Sequence, residues 1–314
     1  KMKKRKNLLS EYYNKINSFD IFNSQLPEFP YIADIELTNI CNLKCIMCDQ
    51  RYMQREKGFM SEELFRKIAD ECIENNVALR LIGLGEPFLH KKIIDFVKYV
   101  KAKSGVLHIT NNGLIITEEH IKKIIEYQLD SIIFSFQGAT KEEYEYMRNN
   151  KLYDKLLNTI EKFLELRGDK EKPFVMITST VTERDKKEDI EKFIKFWELK
   201  ADFVNVGQTV FERFYEFDKN IYNKFGLKRP EINLNFLCVE PFTKLTIFWD
   251  GRASGCCAAV NDDLIVGNVR QNSIKEIWNN DIINGIRLIL KHKRQDLIAF
   301  CRSCRPPYNF HKRD

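Results

Sequence analysis

The sequence predicts an α/β fold on a parallel sheet, followed by a small cysteine-rich C-terminal region. Two observations carry this prediction. From Ala33 to Gln208, short runs rich in β-branched and apolar residues alternate with helix-patterned stretches, six times over, which is the signature of successive βα units. The cysteines divide into an N-terminal set, Cys41, Cys45 and Cys48, and a C-terminal set, Cys238, Cys256, Cys257, Cys301 and Cys304.

Strands are expected over residues 33–38, 78–83, 106–110, 131–136, 174–181 and 203–208. Between the first two, Ser61-Glu62-Glu63-Leu64 supplies a helix N-cap followed by first-turn acids, which complement the helix dipole. Thr140-Lys141-Glu142-Glu143 has the spacing of a capping box ahead of another helix. Cys72, inside the expected helix 62–74, reads as a core residue. Six parallel strands with outer helices fit either a doubly wound open sheet or a partial barrel. In both arrangements ligands gather at the C-terminal strand ends. The stretch 210–236 breaks the periodicity with mixed charges and aromatics, including Phe211, Phe214, Tyr215, Phe217, Tyr222 and Phe225, and reads as a linker or lid. Residues 243–251 form an alternating run ending in Asp250-Gly251, a hairpin signal that would place Cys238 and Cys256 on its two limbs.

Composition narrows the class. With 314 residues and 44% hydrophobic content, the chain can bury a main core and a smaller appended unit. Its apolar runs fall far short of the roughly 18 residues of a membrane span, and its basic start leads into polar residues rather than a signal-peptide core. A cytoplasmic location and no membrane span are therefore expected. The net charge of +6 is modest, with Lys and Glu interleaved, and does not call for nucleic acid. The cluster Lys1, Lys3, Lys4, Arg5 and Lys6 reads as a solvated tail. Nine cysteines in a reducing compartment argue for metal or catalysis rather than disulfides.

The N-terminal set, Cys41-x3-Cys45-x2-Cys48, follows the first strand run directly. Three thiolates can hold three corners of a 4Fe-4S cubane and leave the fourth iron open, since such clusters ordinarily take four cysteines. A zinc site would need a fourth protein ligand. With Met47 ahead of the third cysteine, the motif resembles that of the radical S-adenosylmethionine (SAM) enzymes. The resemblance implies a partial (βα)6 barrel of the radical SAM type. It also implies that SAM chelates the open iron and is cleaved to a 5'-deoxyadenosyl radical.

Further motifs extend the resemblance strand by strand. Gly83-Leu84-Gly85-Glu86-Pro87 looks like the family's Gly-Gly-Glu-Pro motif, which holds the SAM amino group, with Leu84 replacing a glycine. Asn112 follows the third strand. Ser135-Phe136-Gln137-Gly138 resembles a Ser-x-Asp-Gly motif whose serine contacts the ribose, with Gln137 in place of the acid. Arg148 matches a family arginine near the SAM carboxylate, with a plain surface arginine as the alternative. Thr178 and Thr180 are further candidates to line the pocket, or else strand residues on a solvent face.

The second cysteine set admits two readings. Cys238, Cys256, Cys301 and Cys304 could bind zinc tetrahedrally. Their spacing around Gly251, with Gly267-Asn268 and the helix-patterned stretch 273–278, also resembles a SPASM or twitch domain carrying auxiliary 4Fe-4S clusters. The resemblance, with too few cysteines for two such clusters, implies one auxiliary cluster and a shortened domain similar to that of aminocyclitol (2-deoxy-scyllo-inosamine) dehydrogenases. Cys257, at a position where sulfatase-maturing relatives have an acid, is a candidate hydrogen-atom donor or pocket residue, or else a small buried hydrophobe.

The expected organisation is an N-terminal extension (1–31), the barrel (32–209), a linker or lid (210–237) and an auxiliary iron-sulfur domain (238–314). The expected function is hydrogen abstraction from a C-H bond of a small sugar-like or aminocyclitol substrate, ending in oxidation or epimerisation. The alternatives are a maturase acting on a ribosomal peptide and a non-catalytic iron-sulfur or zinc protein. An electron donor such as flavodoxin or ferredoxin is the expected redox partner.

Overall fold

The computed structural model describes residues 5–209, 211, 218–228 and 237–304. Six strands, β1 (Ile32–Ile35), β2 (Ala78–Leu81), β3 (Leu107–Asn111), β4 (Ser131–Ser135), β5 (Phe174–Val181) and β6 (Phe203–Gln208), lie side by side in chain order, each parallel to the next. The helices that connect them include α2 (Glu62–Glu74), α3 (Ile93–Ala102), α4 (Glu118–Glu126), α5 (Lys141–Arg148), α6 (Tyr153–Arg167) and α7 (Lys187–Glu198), while α1 (Leu9–Asn17) precedes β1. A doubly wound sheet reverses its strand order at a switch point. No reversal occurs here. With right-handed crossovers throughout, sequential order lays all the connecting helices on one face, the arrangement of a partial (βα)6 barrel.

The alternation of side chains gives the sheet two unlike faces. Ala33, Ile35, Leu79, Leu81, Leu107, Ile109, Ile132, Phe134, Val175 and Ile177 face the helices and join one buried core with Phe65, Phe96, Ile124, Phe163 and Trp197. The opposite, concave face is polar across one layer: Thr246, Asp34, Arg80, His108 and Ser131 stand in register on adjacent strands. Arg80 forks onto both carboxylate oxygens of Asp34 and donates to the Tyr13 hydroxyl of α1, while the His108 ring bonds Ser131 Oγ at 2.7 Å. Burial, with Arg80 adding to it, pushes the His108 pKa down to about 3, so this ring is neutral.

Helix α1 lies on that concave face, packing Leu9 and Ile16 against Ile32 and Ala78 near the strands' N-terminal ends. The segment before it does not behave as a solvated tail at Arg5. Its guanidinium is almost fully buried, pairs with Asp202 Oδ1 at 2.9 Å, and donates to the carbonyls of Lys170 and Gly168. The N-terminal segment thus spans from the start of β6 to β1 and β2.

The C-terminal region continues the same sheet. β7 (Lys244–Ile247) adds parallel to β1, and β8 (Arg252–Ser254) and β9 (Ile265–Asn268) follow antiparallel, giving the order β6-β5-β4-β3-β2-β1-β7-β8-β9. Gly251, with φ +96°, makes the predicted hairpin turn between β7 and β8. Cys238 and Cys256 do not sit on the hairpin limbs as expected. Cys238 precedes a short helix, Glu240–Thr243, initiated by Pro241, and Cys256 follows β8 after Gly255. No helix among the described residues is long and apolar enough to cross a membrane.

Candidate active site

The loop after β1 carries the first three cysteines. Cys45 is buried, and Cys41 and Cys48 are half-buried. Beyond Ile35 the chain leaves the sheet early because residues 37–39 bond across to residues 56–60: Met60 N–H donates to the Leu37 carbonyl and Thr38 Oγ1 to the Gly58 carbonyl at 2.7 Å. Two donors aim at the thiols. Arg148 Nη1 lies 3.6 Å from Cys45 Sγ, and Asn112 Nδ2 lies 3.9 Å from Cys41 Sγ. Burial raises the Cys41 thiol pKa and pushes that of Cys48 up to about 11. Bound cations of a cluster would reverse that preference, because a coordinating thiol is deprotonated outright. The donor set fits a 4Fe-4S cluster held at three corners.

The Gly83–Pro87 motif stacks directly on the approach to Cys41. Glu86 N–H donates to the Ile40 carbonyl at 2.9 Å, and a Cβ placed on Gly85 would lie 2.1 Å from the Thr38 carbonyl oxygen. Only glycine permits this approach. At Gly83 a Cβ would meet Glu36 Cγ at 2.7 Å. The Glu86 carboxylate is buried and accepts from the backbone N–H groups of Asn112 and Phe88, at 2.8 and 3.0 Å. Burial outweighs these bonds and pushes its pKa up to about 7.

Arg148 is not a surface arginine. It is buried, donates to the Ser135 and Phe136 carbonyls at 2.6 and 3.2 Å, and keeps its Nε without a hydrogen-bond partner. Ser135 and Thr178 stand in register on β4 and β5, both half-buried on the concave face. Gln137, where the family motif has an acid, is committed elsewhere: its amide donates to Thr209 Oγ1 at 2.6 Å and to the Thr180 carbonyl, and accepts from Thr180 Oγ1. Thr180 is thereby drawn into this network rather than onto a solvent face.

In the stretch expected to be a linker or lid, buried Phe211 stacks on Phe225 and packs with Tyr222 and Met147 against Met47 and Tyr52, over the cysteine loop. Phe214, Tyr215 and Phe217 lie outside the described residues. Two residues with no motif to mark them also shape the site. Gln50 Nε2 donates to the carbonyls of Asn39 and Leu84 at 2.8 and 2.9 Å, bridging the cysteine loop to the Gly83–Pro87 motif. Arg55 forks onto Glu36 at 2.8 and 2.9 Å, with both side chains essentially inaccessible.

The second cysteine set converges. Cys238, Cys256, Cys301 and Cys304, brought from three separate segments, line one cavity of about 180 Å³ together with Pro241, Leu264, Ile286 and Phe300. Burial raises the Cys238 thiol and pushes that of Cys301 up to about 12, and Cys256 is raised chiefly by its bond to Cys257. This fits a cluster with four protein thiolates. Cys257 is exposed rather than a buried hydrophobe, does not line that cavity, and stands beside the Cys256 thiol and the Glu240 carboxylate. Among the described residues no three His, Cys, Asp or Glu side chains are grouped as a single-ion site. Cubane corners lie farther apart than thiolates sharing one ion at about 2.3 Å. Cys72, fully buried in α2, is core, as expected.

The sequence model of the radical SAM superfamily matches residues 35–196, more than half of the chain. The chain belongs to the radical SAM superfamily. A SPASM model, described as an iron-sulfur cluster-binding domain, matches residues 238–305. The radical SAM enzyme therefore works with SAM, a 4Fe-4S cluster and an auxiliary cluster. Among curated relatives, a tungsten-containing aldehyde ferredoxin oxidoreductase cofactor-modifying protein of Pyrococcus furiosus is 25% identical over 86% of this chain and 86% of its own. The SAM-dependent 2-deoxy-scyllo-inosamine dehydrogenase of Niallia circulans is 20% identical over 87% and 92%. The fold matches that of BtrN in complex with AdoMet and 2-DOIA (TM-score 0.56, 18% identity, 87% and 91% covered). It also matches Streptococcus suis SuiB bound to precursor peptide SuiA (TM-score 0.67, 17% identity, 88% and 70% covered).

Proposed function

We propose that this radical SAM enzyme takes hydrogen from a C-H bond of a small polar substrate, sugar-like or aminocyclitol, and ends in oxidation or epimerisation. The barrel (32–209) carries the SAM chemistry, 210–237 serves as its linker or lid, with the described Phe211 and Tyr222 packed over the cysteine loop, and 238–314 is the auxiliary-cluster domain. The observation that carries the substrate class is the similarity to the Niallia circulans relative, named for an aminocyclitol, which runs along 87% of this chain and 92% of its own.

In this reading Cys41, Cys45 and Cys48 hold the first cluster, and Cys238, Cys256, Cys301 and Cys304 the auxiliary one. When bound, cluster and SAM supply an electron and a 5'-deoxyadenosyl radical able to take hydrogen from an unactivated carbon. Gly83 and Gly85 let residues 83–86 pack on Glu36 and on the Thr38 carbonyl, which sets the motif beside the cysteine loop, and Glu86 would accept from the amino group of SAM. Arg148 faces its carboxylate, and Asn112, Ser135 and Thr178 flank the nucleoside. The segment around Phe211 and Tyr222 excludes water from the cysteine loop. When the outcome is epimerisation, Cys257 would return a hydrogen atom to the substrate carbon, and the thiyl radical left on it would take an electron and a proton to regain the thiol; when the outcome is oxidation, the auxiliary cluster would accept the substrate radical's electron as the alcohol proton leaves. A flavodoxin or ferredoxin supplies the electron.

A second reading, modification of a ribosomal peptide, is favoured by the fold match to SuiB and by 24% identity to the subtilosin biosynthesis protein AlbA of Bacillus subtilis. Anaerobic reconstitution should give about eight irons per chain, as two cubanes require, and 5'-deoxyadenosine from SAM and a reductant. Stoichiometric zinc without SAM cleavage would overturn the reading in favour of a binding protein. Aminocyclitols and peptides assayed in deuterated buffer separate the outcomes: a carbonyl product marks oxidation and carbon-bound deuterium marks epimerisation. Cys257→Ala with unchanged deuterium incorporation removes Cys257 from the mechanism.

A further inference from the structure

The Glu36–Arg55 pair touches both cluster-bearing regions. On one side, Glu36 Oε2 accepts from the Leu84 N–H at 3.4 Å, and its side chain fills the space left by Gly83, so the carboxylate props the SAM motif from beneath. On the other, Arg55 Nε donates to the Val260 carbonyl at 2.8 Å, three residues beyond Cys257, and its guanidinium lies 3.9 Å over the Phe248 ring at the end of β7. Parallel bonds run beside it: Gln54 N–H donates to Asn261 Oδ1, and Asn261 Nδ2 to the Tyr52 carbonyl. A planar guanidinium bonded on two edges fixes both partners at once, which a lysine ammonium cannot do.

We propose that Glu36 and Arg55 are positioning residues that link the two centres, so that SAM seated on residues 83–86 orders the loop carrying Cys256 and Cys257. This deepens the proposed function and rests on its assignment of SAM to residues 83–86. The link ties the seating of SAM to the geometry of the auxiliary loop, which keeps radical formation in step with the thiol and cluster that receive its consequences.

The test is amide hydrogen exchange on the anaerobically reconstituted protein, with and without SAM. In wild type, SAM slows exchange over both 83–86 and 256–263. In Arg55→Lys, which keeps the charge and loses the fork, SAM binds with a Kd within about threefold and still protects 83–86. Its effect on 256–263 falls by at least about fivefold, the low end of ordinary coupling between two sites. A second variant, Glu36→Gln/Arg55→Met, removes both buried charges together and so avoids stranding either one; it shows the same selective loss. Unchanged protection of 256–263 in both variants, or wild-type protection confined to 83–86, overturns the link and leaves the proposed function standing. Absence of any SAM response at 83–86 in wild type defeats the SAM assignment itself.

Discussion

Gly85→Ala tests the tightest contact in the site. The added Cβ would stand 2.1 Å from the Thr38 carbonyl oxygen and 2.7 Å from both the Thr38 carbonyl carbon and the Ile40 carbonyl oxygen. All three are backbone atoms, so no side chain can rotate away. A carbon-to-oxygen contact ordinarily needs about 3.3 Å, so the segment Thr38–Ile40 must retreat by about 1 Å, carrying Cys41 with it. Overpacking of this kind costs about 1–3 kcal/mol, which lowers the thermal midpoint by roughly 2–5 °C for a chain of this size. A misplacement of about 1 Å at a reacting centre costs on the order of 100-fold in rate. The assay is 5'-deoxyadenosine release from SAM under dithionite, beside a melting curve on the same sample. Gly207→Ala is the control, because its Cβ meets only Thr180 Cγ2 at 3.8 Å. Gly85→Ala with wild-type melting and cleavage would refute the close-approach argument.

Gly285→Ala, in the helix Asp281–Lys291 where an added Cβ meets nothing within 4 Å, should stabilise the protein by about 1 kcal/mol in melting experiments. Arg5→Ala should destabilise by about 1–3 kcal/mol in urea titrations, because the buried Asp202 keeps Arg167 and the Val175 N–H but loses one charged donor. Glu86 gives the SAM-free protein a pH dependence. Its pKa is raised on folding, so its contribution is full below about pH 4.5 and is lost as pH rises through about 7, by about 3 kcal/mol in all, and Glu86→Gln should flatten that part of the stability profile. Cys301→Ser should leave SAM cleavage measurable while lowering the iron content by about four per chain, the auxiliary cubane alone.

The barrel strands were legible because their helix-facing positions are uninterruptedly apolar, as in Ile132, Phe134, Val175 and Ile177. The three cysteines of the first loop and the glycines after β2 were legible because each motif compresses its chemistry into a few adjacent residues. What sequence did not show was long-range pairing. Arg55 sits in an unpatterned stretch and Glu36 inside an apolar run; only the fold reveals that they meet. Arg5 looked like part of a charged tail because its partner Asp202 lies 197 residues away. The hairpin of β7 and β8 was visible from Asp250-Gly251, but its parallel attachment to β1 was not, since no local pattern records which strand a neighbour will choose.

That attachment has a practical consequence. With β7 hydrogen-bonded along the whole of β1, the iron-sulfur region cannot be cut away as a detachable module. A chain truncated before Lys244 would bare the outer ladder of the very strand that leads into Cys41, and naked strand edges recruit other chains. Attempts to express the barrel alone should therefore yield aggregates, and swapping of auxiliary regions between relatives should succeed only when β7 travels with the graft.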